Sequence, residues 1–443
     1  MVRWRRRLLV AVSAALAVGA ALRLTARKVS APRAAPPVPQ TSASGGPVLG
    51  GDCRSPGQLL WFKIFGGSQS DGLSALSDAG ENWWAAGYTG AHGAATFPSR
   101  GWLLVGVADG RLVAKYTPDL PGPIRSAAHD GSSPLVVAFA EEGGAYRLFA
   151  ENRTQAWALA GGEGTVWLGS LADDRVVVAR HAKEGSSNDL VLSALDTRAG
   201  VEHWRTAMQF SSFEAAYAEK DAVTLCGHGS GVQSGWLGIT QVGADGQLRF
   251  TRWVGHGPPD GCTDLFSSNG HVVVLGAFGE HLTMDGETLL DPTPVRGGPV
   301  DSFLLALGST GKRETVLRLA GAELDARAVA VRDDQLFVAG SVSRQRNPPE
   351  GARRSALRGR FEDEDYRPAV RRIDSRGHVE WQWPAPELAS QASAAGLGVV
   401  RDLMPWRGVL LAAGSFSGTL SIAADVNVTA TEAYDGFVAA LCP

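Results

Sequence analysis

Amphipathic runs at helical spacing are missing from the sequence beyond its first 22 residues. The apolar residues instead occur in short segments that are rich in leucine and β-branched residues and are bounded by glycine, aspartate and proline. Such segments are typical of β-strands. Methionine is scarce, with 4 in 443 residues, whereas the 55 glycines indicate many turns. The lack of helical periodicity excludes a helical bundle and predicts an all-β protein.

An excess of charge of one sign is also missing, since the net charge is −3. Without a basic field, nucleic acid and anionic lipid are excluded as default partners. The sequence has no nucleophile elbow Gly-x-Ser-x-Gly, no zinc motif His-Glu-x-x-His and no phosphate-binding loop. We therefore predict no cofactor, no metal and no catalytic residue, and the sequence favours a role other than catalysis.

The N-terminus has the features of an export signal. Four arginines within the first seven residues precede the apolar run Leu8–Leu22, which is short for a spanning helix. Residues 29–31, Val-Ser-Ala, fit a cleavage site, but basic residues precede them. Residues 1–31 are accordingly predicted to be a signal peptide or an N-terminal anchor. The Pro-, Ser- and Gly-rich residues 32–52 predict a flexible tether, and 53–443 the folded domain.

A four-part unit recurs along the chain. Its clearest copy begins with Asp301–Leu307, an apolar segment opened by aspartate, and continues through a glycine turn to a second apolar segment. The next copy supplies the small-residue segment Asp325–Val331 and then Gln335–Gly340, which ends in Ala-Gly. The chain ends on Asp435–Leu441, the front of a unit whose continuation, Gly57–Trp61, stands near the N-terminus. A repeat divided in this way predicts a closed ring.

Four strands in roughly 45–60 residues, repeated about seven times, predict a single seven-bladed β-propeller closed by strands from both termini. We place the small-residue strand A at the centre, then the glycine-ending strand B, the aspartate-opened strand C and the aromatic strand D. The aromatic residues of strand D are expected to pack between blades. The predicted blades span residues 70–117, 122–160, 163–208, 212–254, 260–320, 324–384, and 396–441 closed by 58–65.

The unit resembles that of bacterial β-propeller repeat proteins, which reads Asp-x-Phe-Val-Ala-x-Leu, Gly-x-Leu-x-Trp, Phe-Gly-Gly, Asp-x-Ala-x-Ala and Val-Ala-Gly. These motifs stand here at Asp435–Leu441, Gly57–Trp61, Phe65–Gly67, Asp325–Ala330 and Val338–Gly340. The resemblance covers most of residues 57–443, although the second and third units depart from the pattern. It implies an exported propeller and implies no reaction, because the matching residues are turn and packing residues.

The four cysteines predict two disulfides. Cys53 and Cys442 flank the open end of the divided unit, where the other units have a covalent turn. Cys226 ends a strand B and Cys262 begins the following strand A, so both lie on one face of neighbouring blades. Export favours oxidation of each pair.

Zinc is the alternative ligand for the second cysteine pair. His228 and His256 stand close to the two cysteines in the sequence. Two thiolates and two imidazoles suit Zn²⁺, although the spacing fits no standard zinc finger.

The B–C loops share one face and are long at residues 277–300, 341–366 and 415–434. Loop 341–366 carries six arginines and then the acidic run 362–365, which predicts either a docking element or a solvated, self-neutralising loop. At the mouth of the central channel, charged residues of the inner strands are candidate ligand-binding residues. They are Arg125, Glu214, Asp264, Arg327, Arg401 and Asp402. The alternative is that they form ion pairs that fill the channel.

The sequence therefore predicts an exported propeller that acts as a binding or scaffold module, in the periplasm, at the cell surface or secreted. The partner is an unknown protein or glycan, and membrane contact is limited to the N-terminal anchor. The alternative function is a propeller lyase or glycosidase that acts on a polysaccharide or lactone at the channel mouth.

Overall fold

We describe a computed structural model of the protein. The predicted signal or anchor at 1–31 and the tether at 32–52 lie outside the described residues. The described ranges are 53–66, 71–89, 100–116, 124–129, 135–140, 144–149, 155–158, 165–172, 174–181, 190–255, 261–279, 281–291, 301–319, 324–343, 366–386, 397–424, 426–431 and 434–443.

The described chain is built of short strands, with one 3₁₀ turn at Gly231–Gln233. In order, the strands are β1 (Leu59–Phe65), β2 (Asp71–Ala79), β3 (Asn82–Thr89), β4 (Arg100–Gly106), β5 (Leu112–Tyr116), β6 (Ile124–His129), β7 (Leu135–Ala140), β8 (Gly144–Phe149), β9 (Gln155–Ala158), β10 (Thr165–Leu171), β11 (Arg175–His181), β12 (Leu190–Asp196), β13 (Glu202–Met208), β14 (Ala215–Ala218), β15 (Ala222–His228), β16 (Leu237–Gly243), β17 (Leu248–Val254), β18 (Gly261–Ser268), β19 (His271–Phe278), β20 (Leu282–Met284), β21 (Glu287–Leu290), β22 (Asp301–Leu307), β23 (Arg313–Arg318), β24 (Leu324–Arg332), β25 (Gln335–Ser343), β26 (Tyr366–Ile373), β27 (Val379–Trp383), β28 (Gly398–Trp406), β29 (Val409–Phe416), β30 (Thr419–Ala423), β31 (Val426–Thr429) and β32 (Asp435–Leu441).

The strands form antiparallel sheets arranged as a β-propeller. The four-stranded sheets have the orders β2-β3-β4-β5, β6-β7-β8-β9, β10-β11-β12-β13, β18-β19-β22-β23, β24-β25-β26-β27 and β1-β32-β29-β28. A larger sheet has the order β14-β15-β16-β17-β20-β21, and β30 pairs with β31. The first strands touch in a circle, in the order β2, β6, β10, β14, β18, β24 and β28, with β28 returning to β2. The small-residue strands therefore line the centre, as predicted.

The prediction of seven four-stranded blades is wrong. The described chain has six four-stranded blades, and the sheet that begins with β14 has six strands. The two additional strands, β20 and β21, come from residues 277–300, which the sequence predicts to be a plain loop. The pairing of Val254 in β17 with Met284 in β20 joins them to the sheet. Within this hairpin, Leu282 and Met284 are buried, and this burial of alternate residues is the physical reason that the segment forms strands.

The hairpin β30–β31 is the counterpart of β20–β21 in the closing blade. Leu420, Ile422 and Val428 are buried in the core that also contains the end of β27. The indole Nε1 of Trp383 in β27 donates a hydrogen bond of 3.0 Å to the carbonyl oxygen of Ile422. Each hairpin thus leaves its own blade and packs on the outer strand of the preceding sheet.

One blade is completed by both ends of the chain. Strand β1 pairs with β32, with Leu59 opposite Leu441 and Phe65 opposite Gly436. Two further backbone hydrogen bonds of 2.9 Å extend the ladder, from Gly57 to Cys442 and from Cys442 to Gln58. This pairing confirms the predicted closure of the ring.

An aromatic side chain on one outer strand packs against a turn glycine of the next blade. Trp204 of β13 lies against Gly246, where an added Cβ would be 2.8 Å from the indole. Phe250 of β17 packs in the same way on Gly311, where an added Cβ would be 2.7 Å from the phenyl ring. Both glycines have positive φ, 83° and 73°, which other residues adopt only with strain. The predicted packing of aromatic residues between blades is confirmed, and it explains the spacing of glycine and aromatic residue in the repeat.

Candidate ligand-binding site in the central channel

The inner strands share a β-bulge at one repeat position. In six of them, all but β14, the register with strand B skips a residue, which increases the local twist and re-aims the side chain. The skipped residues are Ser74, Arg125, Val166, Thr263, Arg327 and Arg401. Three of the predicted channel arginines therefore occupy equivalent positions in three blades.

The residue after the bulge is an aspartate in two blades. Asp264 on β18 accepts a hydrogen bond of 2.8 Å at Oδ2 from the backbone N–H of Val329 on β24. Asp402 on β28 accepts the corresponding hydrogen bond, 2.6 Å, from Leu76 on β2. Each carboxylate thus connects its inner strand to the next one around the ring, so both have a structural role.

Burial raises the pKa of both carboxyl groups, because charge is poorly solvated inside the ring. The pKa of Asp264 is raised well above its ordinary range by burial and, secondarily, by the negative charge of Asp402. For Asp402, burial raises the pKa to about 7 against the opposing effect of backbone hydrogen bonds from Leu76 and Leu403. Both side chains keep partial access to the channel. The structure therefore brings two of the predicted residues into one electrostatic site.

Tyr217 on β14 belongs to the same site and was not predicted from the sequence. Burial raises the pKa of its phenol, and the nearby carboxylates of Asp402, Glu219, Asp78 and Asp264 raise it further. Strand β14 lies across the ring from β2 and β28. Its ring packs on Phe266 of the neighbouring inner strand β18, with the centroids 4.8 Å apart. The available signal was an aromatic residue in an inner strand that is otherwise Ala-Ala-x-Ala.

Two other predicted residues have partners away from this pair. Arg327 donates hydrogen bonds of 3.0 Å from Nε and 2.7 Å from an Nη to Asp325 Oδ2, within its own strand. Glu214 lies 3.0 Å from His228 Nε2 and accepts a 2.5 Å hydrogen bond from the backbone N–H of Cys262. Arg401 is part-exposed at the bulge of β28, and the side chain of Arg125 lies outside the described residues.

Both predicted disulfides are present. Cys53 is bonded to Cys442 across 389 residues of sequence, with 5.4 Å between the two Cα atoms. Cys226 is bonded to Cys262, with 6.3 Å between the Cα atoms, and joins β15 to β18 of the next blade. The zinc alternative is wrong, because both sulfur atoms are in the disulfide and His228 pairs with Glu214. His256 lies outside the described residues.

The charged part of loop 341–366 also lies outside the described residues, since β25 ends at Ser343 and β26 begins at Tyr366. Within the described ranges, no three His, Cys, Asp or Glu residues are grouped as ligands for a metal ion. The same part of the chain has no helix long and apolar enough to cross a membrane.

No protein-family model and no curated protein matches the chain. Among solved structures, the WD40 repeats of RRP9 are similar over 86% of this chain and 97% of theirs, at 10% identity and a TM-score of 0.50. BamB from Moraxella catarrhalis has 11% identity and a TM-score of 0.45, covering 84% of this chain and 99% of its own. The propeller domain of the Trilobed protease from Pyrococcus furiosus has 8% identity and a TM-score of 0.47, covering 84% and 94%. At such identities the likeness shows the fold alone, a β-propeller.

Proposed function

We propose that the protein is an exported scaffold module that binds another protein through the face formed by the B–C and D–A connections. The supporting observation is the asymmetry between the two faces. The B–C side carries the hairpins β20–β21 and β30–β31 and the turn at Gly231–Gln233. Variable connections on a rigid sheet scaffold are where binding residues usually lie.

The opposite face is built of short turns. Asp333 and Asp334 alone connect β24 to β25, and both have positive φ, 48° and 61°. The turn from Gly308 to Gly311 is closed by a 2.8 Å backbone hydrogen bond. Such turns offer little adaptable surface. The chain also enters the ring on this side, at the Cys53–Cys442 disulfide.

Export is part of this proposal. Two disulfides join distant segments, and disulfides persist in oxidising compartments such as the periplasm and the cell exterior. Residues 1–52 fused to a reporter enzyme that is active only outside the cytoplasm should give reporter activity. Reporter activity equal to that of a fusion lacking residues 1–31 would refute export.

The binding face can be tested by photocrosslinking in cells. Val232, which is 91% exposed, lies on the B–C face, and Val201, which is 60% exposed, follows a turn on the opposite face. A photoreactive amino acid at position 232 should give a discrete adduct whose partner is identified by mass spectrometry. The same amino acid at position 201 is the matched control.

Affinity then tests the identified partner directly. Val232→Asp should weaken binding of the purified partner at least tenfold, whereas Val201→Asp should leave it unchanged. Adducts formed equally from both positions, or an equal loss of affinity in both variants, would contradict the proposed face.

A further inference from the structure

Two asparagines of the chain stand in the acceptor motif for N-linked glycans. Asn152 and Asn427 are each followed by a residue other than proline and then by threonine, whereas the other four asparagines are not. In exported proteins this Asn-x-Thr motif accepts an oligosaccharide on the asparagine, and the hydroxyl of the third residue belongs to the motif. Asn152 lies outside the described residues, but Asn427 lies on β31 and its surroundings can be described.

The outer face of the hairpin β30–β31 carries both polar residues of the second motif. Leu420, Ile422 and Val428 are buried against the core, and the residues that alternate with them point the other way. Asn427 and Thr429 are both exposed on that outer face. The two side chains of the motif are therefore presented to solvent together, as an acceptor site on a folded protein requires.

Hydrogen bonds across the hairpin orient the acceptor amide. Ser421, which is opposite Asn427 in the ladder, donates a hydrogen bond of 2.6 Å from Oγ to Oδ1 of the asparagine. Because Oδ1 and Nδ2 diverge from the same carbon atom, this bond directs Nδ2, the atom that carries an N-linked glycan, away from Ser421. A glycan on Nδ2 leaves the carbonyl oxygen in place, so the modified asparagine keeps its bond to Ser421.

The position of β31 at a sheet edge gives a modifying enzyme access to the motif. Strand β31 pairs with β30, and none of the other described strands pairs with its free edge. Because a two-stranded hairpin is only marginally stable by itself, β31 can separate from β30 without the opening of a four-stranded blade. In the sequence, Asp425 precedes Asn427 by two residues and offers a negative charge to a cationic pocket of the enzyme, whereas Ala150 stands at that place before Asn152.

We propose that Asn427 is N-glycosylated after export, by transfer of an oligosaccharide from a polyprenyl pyrophosphate carrier. A bond forms between Nδ2 and C1 of the first sugar, and the bond between C1 and the pyrophosphate oxygen breaks. Nδ2 gives up one proton, and the lipid pyrophosphate is the leaving group. The glycan covers the free edge of β31, an edge of the kind that otherwise invites pairing with another chain. This proposal rests on the export that is part of the proposed function.

Mass spectrometry of the protein isolated from its own organism tests the modification, and fractionation of the same cells tests export separately. The peptide that contains Asn427 should carry the mass of an oligosaccharide, and fragmentation should place it on this residue. The peptide that contains Asn269, which is exposed but outside any such motif, is the matched control and should be unmodified.

The outcomes separate the two proposals. Protein found outside the cytoplasm with an unmodified Asn427 would overturn glycosylation and leave export standing. Unmodified protein found in the cytoplasm would overturn both. Sugar mass on Asn269 as well as Asn427 would show modification without regard to the motif and would also overturn the proposal.

Variants test whether the motif itself is recognised. Asn427→Gln, which keeps an amide, should lose the oligosaccharide. Thr429→Val removes the hydroxyl and should lose it although the acceptor is unchanged, whereas Thr429→Ser keeps the hydroxyl and should retain it. Because these side chains are exposed, all three variants should fold, as checked by circular dichroism. A glycan retained in Thr429→Val, or lost equally in Thr429→Ser, would overturn the assignment.

Discussion

Asp402 accepts a hydrogen bond of 2.6 Å from the backbone N–H of Leu76, which precedes it by 326 residues. The bond connects the last inner strand of the ring to the first. Asp264 makes the equivalent bond to Val329 two blades earlier, and Ala328 stands at the same repeat position in the blade between them. One backbone position, immediately after the bulge, therefore serves as an inter-blade connection in some blades and as a packing residue in another.

The pH dependence of stability should reveal Asp402. Its pKa is raised from 3.8 to about 7 in the folded state, so between these values the folded protein holds a proton that the unfolded chain releases. This contribution to stability is complete below about pH 4 and is lost as the pH rises through about 7. Between pH 5 and pH 8 the free energy of unfolding should fall by no more than about 3 kcal/mol, and by about 1–2 kcal/mol given the partial access to solvent.

Asp402→Asn provides the control for this effect, because it removes the titrating group and keeps an acceptor for Leu76. In urea unfolding, the free energy of unfolding of the variant should depend much less on pH between pH 5 and pH 8 than that of the wild type. Asp264, whose pKa is raised in the same direction, should account for the remaining pH dependence. Parallel curves for the variant and the wild type would show that Asp402 does not titrate in this range.

The packing of aromatic residues on glycines predicts unequal effects of two alanine substitutions. Gly246→Ala places a Cβ 2.8 Å from the indole of Trp204 at a φ of 83°. Gly408→Ala has a similar φ, 89°, but no atom within 4 Å of its Cβ. Both should pay about 1 kcal/mol of backbone strain. Gly246→Ala should lose about 1–3 kcal/mol more through overpacking. Equal midpoints in thermal unfolding would show that the aromatic contact is dispensable.

The disulfide Cys53–Cys442 should stabilise the closed ring. Replacing both cysteines with serine removes a link across 389 residues and should lower the free energy of unfolding by about 2–5 kcal/mol. Denaturation with and without reductant measures the effect. In the double serine variant this disulfide is already absent, so its loss cannot contribute to any effect of the reductant on the free energy of unfolding. Peptide mapping under non-reducing conditions that finds Cys53 as a free thiol in exported protein would rule out the bond.

Deletion of residues 54–65 should prevent formation of a stable ring. These residues include β1, whose loss leaves the apolar strand β32 as an unpaired edge that promotes aggregation. Deletion of residues 32–50 leaves every described strand in place and is the matched control. A cooperative thermal transition at the wild-type temperature in the 54–65 deletion would contradict the closure.

The closure and the order of strands could be predicted from the sequence because both depend on local patterns. The divided repeat places Gly57–Trp61 beside the end of Asp435–Leu441, and the structure pairs them. The disulfide between Cys53 and Cys442 follows from the same strand register. Most strands are short apolar segments bounded by turn residues, a pattern that is visible without reference to distant residues.

The features that could not be predicted depend on contacts between blades. The hairpin β20–β21 is defined by its packing on a neighbouring sheet, although the alternation Leu-Thr-Met at 282–284 and Leu-Ser-Ile at 420–422 was a usable signal. Tyr217 was missed because its environment comes from strands on the other side of the ring. The expectation that Arg327 lines the channel did not anticipate Asp325, its partner two residues away.

The pairing of β1 with β32 has a consequence for biosynthesis. Strand β1 is synthesised about 370 residues before its only described partner strand, β32. At roughly 5–20 residues per second, this delay lasts on the order of 20–70 s. During that time Trp61, Phe62 and Phe65, which end up buried, have no sheet to join. The segment that forms β1 must therefore remain unpaired until translation has reached β32, almost at the end of the chain.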